Sequence, residues 1–150
     1  MDNQINYHFT DRVVFSIANL LNIIMVVIFL SRIKGLPRLE VVGLVWVAFI
    51  ILLTIVVVLN IKSKREWWEI VLPLLLSAFL MLEVILDYVL KVDFRNTRLL
   101  WPYLLMYYLS IMGMIGYSFR IGKAYGFVTL ATYFLSQIAA LYSYFNVGHG

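Results

Sequence analysis

The chain is laid out as long apolar runs separated by short polar joints. Runs of spanning length, about 20 residues, read at Val13–Leu30, Leu39–Leu59, Trp68–Leu90, Leu99–Phe119 and Tyr125–Phe145. The joints between them, Ser31–Arg38, Asn60–Trp67, Lys91–Arg98 and Arg120–Ala124, are too short to hold a folded soluble unit. The pattern predicts an all-α fold: a polytopic transmembrane bundle of five spanning helices with short loops, residues 1–150 forming a single integral membrane domain.

Polar side chains inside a span should turn toward other helices or a cavity, because lipid offers them no partner. In the fifth run Thr129, Thr132, Ser136, Ala139 and Ser143 recur at steps of three and four, flanked by Tyr133, Gln137, Ala140 and Tyr144. Phe127, Ala131, Phe134, Ile138 and Leu141 make the opposite, lipid-facing stripe. The fourth run repeats the pattern with Tyr103, Tyr107, Ser110, Met114 and Tyr117, and its Gly113 and Gly116 are expected to admit a neighbouring backbone. In the first run Ser16, Asn19 and Asn22 share a side. The second run offers only Thr54 among its central residues and is expected at the periphery, or against another subunit.

Against this background Glu83 and Asp87 stand out, four residues apart on one stripe of the third run, with Glu69 near the same stripe. At 1.5 Å per residue, Glu83 lies roughly 10 Å inside the Lys91 end of its span and Asp87 roughly 5 Å. A carboxylate at mid-helix costs about 2.5–3.5 kcal/mol on insertion scales, so Glu83 is expected protonated or paired with a cation. Its candidate partners are the inward tyrosines, Asn19 or Asn22, Gln137, and Arg95 or Arg98 folding back from the next joint. Nine of the ten tyrosines fall between Tyr88 and Tyr144, which places most of the polar seam in the C-terminal part. Tyr103, Tyr142, Tyr144, Trp67, Trp68 and Trp101 lie near span ends, where aromatic belts form; Tyr107, Tyr108 and Tyr133 lie deeper.

Composition agrees with a membrane protein: 63% of residues are hydrophobic and 13% charged, against about half and a quarter in soluble domains. The formal charge of +4 reads as loop flanking and attraction to anionic headgroups rather than nucleic-acid binding. With five alternating spans, Arg32, Lys34, Arg38, Lys91, Arg95 and Arg98 fall on one side and Arg12, Lys62, Lys64, Arg65, Arg120 and Lys123 on the other. Six against six leaves sidedness without a charge bias. Met1–Thr10 carries Asp2 and no Lys or Arg, unlike a secretory signal, so the first helix is expected to be retained. Which membrane the chain occupies is not legible.

Cysteine is absent, which removes disulfides and thiolate chemistry. His8 and His149 lie outside every run, so no bis-histidine haem fits within the bundle, and no lysine inside a run offers a retinal-type Schiff base. Zinc-hydrolase, serine-hydrolase and phosphate-loop motifs are missing. The chemistry therefore points to no cofactor. The favoured function is binding or transport of a small lipophilic or amphipathic ligand, with or without coupling to protons, in a tyrosine-rich polar pocket. Glu83, Asp87, Tyr107, Tyr133, Gln137, Asn19 and Asn22 are its candidate residues. Two alternatives remain: an accessory subunit packing on a larger membrane complex or on its own copies through the second helix, and an enzyme acting on a prenyl or lipid diphosphate, with Glu83, Asp87 and Asp93 holding magnesium and Lys91, Arg95 and Arg98 on the phosphates.

Overall fold

The computed structural model describes residues 2–35, 40–92, 94 and 97–147. Five helices follow one another: α1 (Asp2–Ile33), α2 (Glu40–Lys62), α3 (Trp67–Glu83), α4 (Leu100–Ile121) and α5 (Lys123–Val147). All five are long and apolar enough to cross a membrane when α3 is taken with the turn that continues it to Val89, and no strand occurs among the described residues. This is the build of a small multi-pass integral membrane protein. The first helix runs longer than the apolar pattern indicates, because the polar stretch Asp2–Arg12 continues the helix ahead of the span.

Helices adjacent in sequence pack side by side, and α5 closes the ring against α1, which also touches α4. Short connections make each consecutive pair antiparallel, so α1 and α5 run parallel. One end of the bundle carries the turn 63–66 and Gly122, the other the segment after Val89; we call them the Arg65 end and the Lys91 end. The core between them holds Leu21, Trp46, Leu53, Leu76, Leu80, Ile111 and Met114.

Two departures from regular helix shape the site. Pro73 lies inside α3 and has no N–H to give the carbonyl four residues back, at Glu69. The Asn60 amide on α2 supplies that missing donor, with Nδ2 2.8 Å from the Glu69 carbonyl oxygen. Farther on, α3 widens into a π-helical turn over Val84–Val89, where the Leu90 N–H donates to Ile85 O at 2.8 Å, five residues back. Such wide turns are frequent at functional sites.

The polar stripes sort as expected. Thr129, Ser136, Ala139 and Ser143 on α5 and Tyr103, Tyr107, Ser110, Met114 and Tyr117 on α4 are buried, while Phe127, Phe134, Ile138 and Leu141 are exposed. Ser16 and Tyr144 are exposed rather than inward. Gly113 does not meet a neighbouring backbone: a Cβ there would meet the Leu72 side chain, and one at Gly116 would meet nothing within 4 Å. Side chains press as closely at Gly126, against the Phe119 ring, and at Gly43, against Tyr88.

Candidate functional site

The seven residues singled out from sequence occupy three polar groups. The first is the acidic centre near the Lys91 end. Glu83 closes α3, Asp87 lies in the wide turn, and each is only 7% exposed. The Tyr103 hydroxyl on α4 donates to Glu83 Oε2 at 2.5 Å. Tyr103 is itself held between the rings of Phe94 and Phe79, with centroids 4.7 and 5.6 Å away, and Phe94 is fully buried. By sequence Tyr103 falls both on the inward stripe of the fourth run and near a span end, and its side chain turns inward, to the carboxylate. Arg98 is exposed, and Arg95 and Asp93 lie outside the described residues.

The second group lies one helical turn deeper on α4. Phe79 also packs on Tyr107, centroids 5.4 Å apart. The Gln137 amide on α5 donates to the Tyr107 hydroxyl at 3.2 Å, and the half-exposed Tyr108 hydroxyl reaches Gln137 Oε1 at 3.4 Å. Tyr133 is half-buried nearby, with its ring against Phe134. A run of rings and amides thus leads from Glu83 through Tyr103, Phe79, Tyr107 and Gln137 to Tyr108 at the lipid-facing surface.

The third group lies apart from these. Asn19 and Asn22 do not meet Glu83; they bind α5. Asn19 Nδ2 donates to the Thr129 hydroxyl at 3.1 Å, Asn22 Nδ2 to the Thr132 hydroxyl at 3.1 Å, and the Thr132 hydroxyl to Asn19 Oδ1 at 2.8 Å. Thr129 in turn donates to the Ser118 hydroxyl on α4 at 2.9 Å. The physical reason is proximity: α1 and α5 run parallel in contact, and amides and hydroxyls at matching depths satisfy one another before any more distant carboxylate.

A fourth cluster escaped the sequence. At the Arg65 end, the Arg65 guanidinium grips Asp11 through both nitrogens, at 2.7 and 3.3 Å, and Glu69 at 2.7 Å. Its Nη1 also lies 3.0 Å from the Thr10 hydroxyl and 3.3 Å from that of Tyr117, which donates to Asp11 at 2.9 Å. One side chain, 9% exposed, joins α1, α3 and α4. Burial pulls the Arg65 proton affinity down, but the hydrogen bond to Asp11 and the negative charges around it outweigh that and raise it above its ordinary value. Trp68 packs on Tyr117, and Arg120 lies over the Trp68 ring with its centroid 5.6 Å away. In the sequence Asp11 and Arg65 look like ordinary flanking charges; the four-residue step from Arg65 to Glu69 was the one visible hint.

Comparison of the chain with protein-family models, curated proteins and solved structures yields no match.

Proposed function

We propose that this membrane protein binds or moves a small amphipathic ligand whose polar group is received at Glu83 and Asp87 and whose apolar body lies along the rings toward Tyr108. The observation that supports it is the acidic centre: two carboxylates buried on a helix apolar and long enough to span, one just before a π-helical turn and one within it, with a tyrosine hydroxyl on the first. Buried acids in a span are costly, and proteins retain them chiefly for ion, proton or substrate handling. Aromatic walls with a few convergent polar groups are the usual make-up of a small-molecule site. The half-exposed Tyr108 and Gln137 form the lateral approach from the bilayer.

Native mass spectrometry of the detergent-purified protein, with small molecules released and identified, tests this. The wild type is expected to carry a defined lipophile that Glu83→Gln loses while keeping its melting temperature. A wild type that stays empty after exposure to a total lipid extract, or a variant that holds the same molecule equally well, would overturn it.

A further inference from the structure

The amide and hydroxyl chain between α1, α5 and α4 runs in one direction. Asn22 Nδ2 donates to Thr132, Thr132 to Asn19 Oδ1, Asn19 Nδ2 to Thr129, and Thr129 to Ser118. Each hydroxyl has one proton to give, and Thr132 has acceptors at Asn19 Oδ1 and at the Thr129 carbonyl, 3.0 Å away. At the head of the chain Asn22 Oδ1 is left without a partner among the described residues, on a side chain 1% exposed. Turning the Asn22 amide over does not cure this. Its oxygen would then claim the Thr132 proton, Asn19 Oδ1 would lose it, and the freed Nδ2 would need an acceptor. As placed, one acceptor goes unmet; turned, one acceptor and one donor do, and Asn19 cannot turn with it because the Phe15 carbonyl, 2.8 Å from its Nδ2, holds that amide.

Asn22 lies eleven residues from the Ile33 end of its helix, roughly 16 Å at the helical rise, which is mid-bilayer depth. An unmet acceptor there costs more than one near the headgroups, since no bulk water can reach it. We infer that Asn22 Oδ1 is a binding site for a small O–H donor from outside the chain, either a resident water or the hydroxyl of a bound lipophile. The site lies on the α1–α5 seam, separate from Glu83, and its existence does not depend on the ligand proposed there.

Solid-state NMR of the protein in phosphatidylcholine vesicles, with backbone amides, asparagine side-chain amides and threonine methyls labelled, distinguishes the outcomes. Magnetisation started on water is expected to reach the Asn22 amide as it reaches the exposed Asn146 amide, and the same water signal at the Thr132 methyl should vanish in Asn22→Leu. Transfer to Asn22 from a co-purified lipophile instead of water would keep the site and assign the donor to that molecule. No transfer from either source, with Asn22 behaving like the buried backbone amide of Leu53, would overturn the inference.

Discussion

Asn60 stands in for the backbone donor that Pro73 cannot provide: its Nδ2 lies 2.8 Å from the Glu69 carbonyl oxygen, the group a residue other than proline at position 73 would bond. Leaving that carbonyl unmet in a buried helix costs about 1–3 kcal/mol. Asn60→Ala is therefore expected to destabilise the protein by that order, and to cost clearly less in a Pro73→Ala background, where the N–H returns. Thermal unfolding of the four proteins of this double-mutant cycle in detergent measures the coupling. Equal losses in both backgrounds would separate the two residues.

Arg65 fastens the same end of the bundle, where Glu69 is also its partner. Its removal by Arg65→Ala leaves Asp11 and Glu69 without their cation, at a cost of about 3–5 kcal/mol. Arg65→Lys should recover only part, because a point charge cannot engage Asp11 through two nitrogens while reaching Glu69. The pH dependence has a definite sign. The Arg65 proton affinity is raised in the fold, so its stabilisation is complete below the ordinary arginine range and is lost only above it. The gap between wild type and Arg65→Ala should thus stay flat from neutral into mildly alkaline solution when melting temperatures are compared.

The Tyr103 hydroxyl serves a buried acid, so Tyr103→Phe is expected to destabilise by about 1–3 kcal/mol. With Glu83→Gln already present, the same change should cost less, because a neutral amide demands less of its donor. Chemical unfolding in mixed micelles gives both differences, and additive effects would show that the pair is not coupled.

Two glycines offer a paired test of close packing. Gly126→Ala would place a Cβ 2.2 Å from the Phe119 ring and force α4 and α5 to shift, a change worth about 1–3 kcal/mol. Gly116→Ala meets nothing within 4 Å and should be neutral or stabilising by up to about 1 kcal/mol through helix propensity. Melting temperatures of the two variants should move apart.

The chain has no cysteine, so single cysteines report topology cleanly. Ser63→Cys and Gly122→Cys are expected to react with an impermeant thiol reagent from one face of sealed vesicles, and Val92→Cys and Leu99→Cys from the other. Labelling of all four from the same face would refute the five-span arrangement.

By itself, the order of apolar runs determined the five helices, and the three- and four-residue steps of α4 and α5 determined which of their faces lie inside. Both follow from local rules: a span needs a certain apolar length, and hydrocarbon rejects polar side chains whatever the neighbours are. Partner choice was decided only by the tertiary structure. Tyr103 rather than Asn19 or Gln137 meets Glu83, Asn19 and Asn22 meet Thr129 and Thr132, and Asp11 meets Arg65. Those pairings depend on which helices are adjacent, on the parallel run of α1 beside α5, and on local breaks such as Pro73 and the turn Val84–Val89. Periodicity carries the angle of a residue around its own helix, but not which neighbour stands opposite or at what depth.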